Sequence, residues 1–497
     1  MATIPTTDCS FGDIVTAYNT TVAPSSQISM SNINLKTSFS GKTVYNPGWP
    51  ITGATVIPSS SISTSLFYGK TFQIPVPTVT FSSPVVVDAY AGALAGTQGI
   101  PGTWVNPTIT IDARYSNPIL YALYIGPGSA YGSGSGGVTP GEFLTVRSSA
   151  NLNSSWSPAG GSTENINWPY GFDIAYTPPL PVRTFSITTG FFGVYVAYGS
   201  LVGYAPGLYF KQTDNDEWTT PNTGPYQLIQ PGSGSLPLIS EVSIAVQTLT
   251  PYNDDWIYIA YQQYTANGEI YFLRFPRVDS STGPGLHSAT TISQAASVGS
   301  MASTPRVAVP KESSAQQTST HVFIVWLEMD IAQNLNVQFR KSTNGGPSFG
   351  SISQLATNAD TQSTMLNLYA KDNNNLYLSY INSSQEIVLG KSTNGGANWN
   401  WTTINNLGNS VCTNGDMHVS GSKIWISFHY GTLLKNLGCA YSPDDGSTWY
   451  QNTCTTCLVD ARSNAITVHN NKAYIIGGAT DNSTNDRKLQ CVTVQIT

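Results

Sequence analysis

The sequence predicts an all-β protein: four-stranded units closed into a ring, seven by count and six as the alternative, preceded by a β-rich arm. Three observations carry that reading. The first is a repeat. Lys341–Phe349 reads KSTNGGPSF, Lys391–Trp399 reads KSTNGGANW and Tyr441–Trp449 reads YSPDDGSTW, each starting fifty residues after the one before. Ser342, Ser392 and Ser442 share one register, as do Asn344, Asn394 and Asp444, then Gly346, Gly396 and Gly446, then Phe349, Trp399 and Trp449. Self-similarity at a fixed period is the signature of a repeat architecture. The second observation is composition: 10% of the 497 residues are charged, against about 25% on average. A chain poor in charge and rich in Tyr, Ser, Thr, Asn and Gly suits strands and polar turns rather than surface helices, which need Lys and Glu. The third is that short apolar runs come in triplets, each followed by a turn cluster. Units of about 40–60 residues with four short strands read as propeller blades.

In chain order, residues 1–75 show no repeat and are expected to form the arm or a small β-domain, with residues 76–497 forming the propeller. The first unit offers Thr108–Ile111, Ile119–Ile125 and Glu142–Val146, then a worn copy of the turn at Ser149–Trp156. The second runs from Arg183 through Val194–Tyr198 and Gly207–Phe210 to a shortened turn at Thr213–Trp218. The third runs from Glu241 through Trp256–Tyr261 and Ile270–Phe275, its turn decayed to Asp279–Gly283. The fourth, fifth and sixth start near Arg306, Met365 and Asp416. The last holds only three strands, Ala465–Val468, Lys472–Gly477 and Leu489–Ile496. A fourth is expected from the N-terminal side, near Thr78–Val87, because closure removes sheet edges that would template aggregation.

The repeated turn has readable physics. Asn or Asp at its third place bonds its own downstream backbone, Gly supplies positive φ, and the aromatic packs the turn onto the hairpin beneath. The stretch resembles the Asp-box, S-x-D-x-G-x-x-W, of sialidases and related BNR-repeat propellers, closely at Tyr441–Trp449 and with Asn for Asp in the other two copies. The resemblance implies a turn between the third and fourth strands of a blade, at the periphery, with a structural role.

A net charge of −6 offers no basic face to nucleic acid. The opening residues MATIPTTDCSFGDIV have neither the basic nor the apolar region of a secretory signal, and the longest apolar run, Ile74–Leu94, carries Pro, Ser and Asp88, so no membrane span is expected. No cofactor and no metal are expected: the five His show no ligand spacing, and Cys454-Thr-Thr-Cys457 lacks a second pair. Five of the six cysteines, Cys412, Cys439, Cys454, Cys457 and Cys491, cluster near the C-terminus and are expected to form disulfides; Cys9 stands apart. Sequons at Asn19, Asn153, Asn382, Asn400 and Asn482 are candidate glycosylation sites.

Chemistry is sought where a propeller's innermost strands begin, at the axial channel. Aligning the units brings Arg183, Glu241, Arg306, Asp416 and Arg462 to that position. Two readings stand: a ligand site, in which Arg grips a carboxylate or sulfate bidentately, or ion pairs that fix blade register. The sialidase resemblance implies three Arg, a Tyr–Glu pair and an Asp acid. Leu273-Arg274-Phe275-Pro276 is similar to that family's F-R-I-P but falls on a third strand; Thr304-Pro305-Arg306-Val307 lies on the right strand with Pro and Arg reversed. Spacing assigns no Glu–Tyr pair, and Glu241 with Asp416 is the one carboxyl pair to nominate for glycoside hydrolysis. Tyr198, Tyr204, Tyr209, Trp256 and Tyr264 are candidate sugar-stacking aromatics. The expected function is a non-enzymatic surface binding protein, a virion spike or host-attachment protein recognising cell-surface glycans, at the virion surface or extracellular. Its composition resembles surface and virion proteins of thermoacidophilic archaea and their viruses. The arm would then meet other virion or surface-layer proteins, and a homo-oligomer is compatible. The alternatives are a sialidase-type glycosidase and a cell-surface adhesin or extracellular structural protein.

Overall fold

A computed structural model describes residues 43–44 and 55–56, and then 77–497 except 91–104, 115, 128–141, 150–151, 159–181, 201–206, 214–225, 230–237, 250–253, 265–267, 279–286, 294–300, 311–320, 361–364, 405–411, 432–434, 460–463 and 482–485. Every regular element described is a strand. The chain divides into two units, Met1–Thr80 with Gln495–Thr497, and Phe81–Val494. In the first, Thr43–Val44 pairs antiparallel with Thr55–Val56.

Seven antiparallel sheets follow one another along the chain, as the repeat predicts. The innermost strands are Val105–Asp112, Val182–Thr189, Leu238–Leu249, Met301–Ala308, Leu366–Ala370, Cys412–Ser420 and Asn464–His469. In each blade the next two strands meander outward, as in the fourth, where Val322–Met329 pairs with Met301–Ala308 and then with Leu335–Ser342, which pairs with the outer Ser353–Ala359. Each innermost strand touches that of the following blade, and the seventh touches the first. This is a closed seven-bladed β-propeller. The seventh blade is completed from the N-terminal side: Val79–Phe81 and Val85–Tyr90 both pair with Asp486–Ile496. The last blade is therefore sealed by backbone hydrogen bonds between the two ends of the ring, with no open edge left beside Asp486–Ile496.

The cores lie between blades. Strands that are buried on both faces read as continuous apolar runs, for example Val322–Leu327, every residue of which is buried. Phe323, Val325 and Leu327 of the fourth blade pack with Leu366, Leu376 and Leu378 of the fifth, while Ile324 and Trp326 pack with Tyr258 and Phe272 of the third. Alternation along a strand thus sends successive side chains into successive inter-blade cores.

The three repeated turns join third to fourth strands. In each, the Ser hydroxyl donates to the side-chain oxygen two residues on (Ser342 to Asn344 2.7 Å, Ser392 to Asn394 3.0 Å, Ser442 to Asp444 3.0 Å) and accepts from the Gly N–H four residues on, at 2.8, 2.9 and 2.8 Å. The amide oxygen of Asn serves this turn as the Asp carboxylate does. Gly396, at φ +84°, is also a contact point: a Cβ there would meet the Phe339 ring of the preceding blade at 2.4 Å. The aromatic that closes the turn, Trp399, meets Phe339 edge-on at 5.8 Å, and Phe349 meets Phe272 likewise at 5.2 Å. The turns therefore latch neighbouring blades as well as closing their own. The first blade carries a variant, in which Asn153 N–H donates to Ser149 Oγ at 3.1 Å and Trp156 Nε1 donates to Asn153 Oδ1 at 2.8 Å. The shortened turn at 213–218 and the decayed one at 279–283 lie almost wholly outside the described residues.

Candidate site at the channel mouth

The innermost strands start at one face of the ring, and there the sheet is systematically irregular. Pairing to the second strand slips between Val105 and Thr108, Val182 and Thr184, Ile239 and Glu241, Ser303 and Arg306, and Thr413 and Gly415. Five of seven blades thus bulge at the position where the units align. A bulge leaves a residue unpaired and re-aims its side chain. The bulge of the second blade falls on Arg183, whose side chain lies outside the described set; Arg462, just ahead of the seventh innermost strand, lies outside it altogether. In the fourth and sixth blades the bulge residues Thr304 and Asn414 have φ of +53° and +43°. A β-branched residue in that region is a strained outlier, and such strain persists where the surroundings hold it in place.

Glu241, Arg306 and Asp416 converge electrostatically at this mouth. Burial pushes the Glu241 carboxyl above its ordinary range; Arg306, and a hydrogen bond from Thr304 Oγ1 at 3.4 Å, pull the other way. Burial likewise pushes Asp416 up, against backbone N–H groups of Ile466 (3.0 Å) and Met417 (2.8 Å) and the charge of Arg306. One guanidinium therefore acts on two half-buried carboxyls from two other blades. Arg306 also donates from Nη1 to Pro305 O at 2.9 Å.

Two residues of the mouth carry no charge and escaped the sequence analysis. Asn367, in the orientation that satisfies its neighbours, donates from Nδ2 to Asp416 Oδ1 at 3.1 Å and accepts from Ser379 Oγ at 3.3 Å. Asn464 accepts from Ser427 Oγ at 2.5 Å. Asp416 so ties together the innermost strands of blades five, six and seven. The missed signal is positional: Asn367 sits between Leu366 and Leu368, an uncharged polar residue on a buried strand.

Several sequence-based expectations are corrected. Arg274 does not reach the mouth; its guanidinium lies 5.1 Å above the Trp256 ring, on the third strand of its blade. Tyr198 and Tyr209 are buried and stack on each other at 5.5 Å, so they belong to the core; Tyr204 and the Tyr264 side chain lie outside the described set. Cys412, Cys439 and Cys491 are free, buried thiols rather than disulfide partners. Strand register explains it: Cys439 faces Ser427 and Asn452, Cys412 faces Tyr430 and Cys491 faces Val85. Burial pushes the Cys412 thiol up to about 11, with Glu386 adding to it. Cys454 is not among the free thiols; Cys9 and the Cys457 side chain lie outside the described set. Asn153 and Asn382 are buried, and their Nδ2 groups are spent, on Cys491 O and Thr493 Oγ1 (both 3.2 Å) and on Glu386 Oε2 (3.0 Å). Neither is open to glycosylation in the folded chain. Asn400 is exposed; Asn19 and Asn482 lie outside the described residues.

No protein-family model matches the chain, and no curated protein matches it in sequence. Solved structures do resemble it. A protein of unknown function from Dyadobacter fermentans aligns with a TM-score of 0.45 at 10% identity, over 85% of this chain and 100% of that one. Trypanosoma rangeli sialidase in complex with the inhibitor DANA aligns at 0.40 and 9% identity, over 84% of this chain and 59% of the sialidase. The six-bladed fungal lectin of Aleuria aurantia aligns at 0.36 and 8%, over 62% of this chain and 91% of the lectin. At these identities the likenesses concern architecture alone: an all-β ring of blades with sialidases and lectins among its structural neighbours.

Proposed function

We propose that the chain is a non-enzymatic, surface-exposed binding protein that holds a glycan at the mouth of its axial channel. The observation that carries this reading is the charge balance there. Arg306, the one guanidinium described at the mouth, already acts on Glu241 and Asp416 of the protein itself, so it is not a spare cation awaiting a substrate carboxylate. What the mouth offers beyond that pair is carboxyl acceptors and the Asn464 Nδ2 donor, which suit the hydroxyl groups of a neutral sugar. Low charge density and the short, latched turns support service outside a cell, on a virion as a spike or attachment protein or on a cell surface as an adhesin. Residues 1–75 would then join the chain to the particle or surface layer. The repeated turns are, on this reading, Asp-boxes with a structural role.

One observation favours the glycosidase as a second reading. A carboxyl held toward its acid form beside a second carboxyl at one mouth is the pairing that general acid catalysis at a glycosidic bond requires, with the second group acting as carboxylate. A glycan array probed with the full chain and with the double variant Glu241→Gln, Asp416→Asn separates the two, alongside a chromogenic sialoside assay. Binding by the wild type, lost in the isosteric variant and without sialoside turnover, is expected. Turnover that the variant abolishes would replace the binder with the enzyme.

A further inference from the structure

A second feature stands apart from the channel mouth. Between the fourth and fifth blades, at the face that carries the repeated turns, a cleft of about 460 Å³ opens beside the outer strands. Its walls are the start of Ser353–Ala359 in the fourth blade and the turn Gly396–Trp399 with Trp401 in the fifth. Trp399 and Trp401 stack at 5.7 Å with ring planes 19° apart, and Tyr380 meets Trp401 edge-on at 5.9 Å. Trp401 is 38% exposed. The sixth blade has Gln451 and the fourth has Ser351 at the matching position. The repeat therefore does not demand a Trp there, although the ring also covers Gly390 on the neighbouring strand.

We infer that this cleft is a separate carbohydrate-binding site that takes one neutral pyranose ring, with Trp401 as its stacking platform. The C–H face of a sugar ring packs on an aromatic surface, while its hydroxyls need donors and acceptors around the rim. Ser353, Gln354 and Asn398 line the cleft and are exposed, and an amide serves a hydroxyl as donor and as acceptor. Lys341 also lines it, but its ammonium is turned onto Gly395 O at 3.0 Å. That engagement favours a neutral sugar over an anionic one. The volume fits one ring with its substituents and is at the small end of ligand pockets. A lipid or apolar peptide would leave those polar groups unpaired, which costs affinity. The floor is rigid, since Trp399 donates from Nε1 to Gly396 O at 3.1 Å and packs on Phe339. The platform is thus pre-ordered, which lowers the entropic cost of binding.

The experiment uses the full chain. Glucose-, galactose-, mannose- and N-acetylglucosamine-terminated oligosaccharides are titrated against intrinsic tryptophan fluorescence and by saturation-transfer NMR. At least one is expected to bind and to perturb tryptophan emission, with Trp401→Ala weakening it about tenfold or more and Gln354→Ala weakening it less. Ile331→Ala removes a still more exposed apolar side chain, 67% against 38%, from a different turn and is expected to change nothing. Trp401 and Gln354 are surface residues, so a thermal melt near that of the wild type shows that each variant is folded. The proposal is overturned if no oligosaccharide binds, if Trp401→Ala and Gln354→Ala both bind as the wild type does, or if Ile331→Ala weakens binding as much as Trp401→Ala. Because the glycan of the channel mouth is read through Glu241→Gln, Asp416→Asn, failure of either site is distinguishable from failure of the other.

Discussion

Asp255→Ala is expected to cost the folded chain about 3–5 kcal/mol, at the upper end of what a single substitution does. Asp255 is fully buried, at the start of the second strand of the third blade, Asp254–Tyr264. Its carboxylate accepts from Tyr195 OH at 2.7 Å and Phe192 N–H at 2.8 Å through Oδ2, and from Phe191 N–H at 3.2 Å and Thr248 Oγ1 at 2.5 Å through Oδ1. Three of those donors belong to the second blade, so one side chain clasps two blades. The approach is tight enough that a Cβ on Gly190 would lie 2.2 Å from Oδ2. Alanine strands a buried phenol and two backbone N–H groups, each an unsatisfied donor costing about 1–3 kcal/mol. Asp255→Asn keeps the shape but turns half of the acceptor into a donor facing donors, and is expected to lose less than alanine does. Urea titration of the wild type and both variants measures this; a loss under about 1 kcal/mol for alanine would show that water or a shifted strand satisfies the donors.

Arg306→Ala is the second large effect, and it is expected to depend on pH. Removing a charge that faces two half-buried carboxyls leaves them uncompensated, which costs about 3–5 kcal/mol for a fully buried pair; all three groups are partly exposed, so solvent screening reduces this to about 2–3 kcal/mol at pH 7. The sign follows from the raised carboxyls. A group whose folded pKa lies above its unfolded value contributes stability that is fully present below the unfolded pKa, about 4 for these side chains, and lost as pH rises through the folded one. Arg306 holds both carboxyls down, so its loss widens that window. The penalty for Arg306→Ala is therefore expected to be small at about pH 4 and to grow toward pH 7. Adding Glu241→Gln and Asp416→Asn to the variant should abolish the growth. Urea midpoints at the two pH values decide it: an equal penalty at both would mean that Arg306 acts through packing rather than charge.

The parts legible in the sequence are those whose cause is local. Ser392, Asn394, Gly396 and Trp399 could be read because the turn's hydrogen bonds join residues two to four apart. The N-terminal strand of the seventh blade could be anticipated because that unit was one strand short. Glu241, Arg306 and Asp416 stood out because charge is scarce and the units share a starting position. What could not be read depends on cross-strand register or on a neighbouring blade. Cys439 and Cys454 flank one turn, yet pairing sets them two residues out of line. Asp255 sits in a Pro-Tyr-Asn-Asp-Asp run that looks like solvated turn chemistry, and only the turn of the second blade makes it a buried anchor. Asn153 completes a sequon but spends its amide on the last strand of the chain. Asn367 and Trp401 are single departures inside otherwise regular units, visible only once the strands are placed side by side.

The most direct test of the channel-mouth reading is a crystal of the full chain grown with the strongest ligand from the glycan array. An ordered sugar is expected, its hydroxyls within hydrogen-bond distance of Glu241, Asp416 or Arg306, at the face where the innermost strands begin. An empty mouth, with sugar bound only on the blade edges, would contradict it and leave Glu241, Arg306 and Asp416 as a device that holds the blades in register.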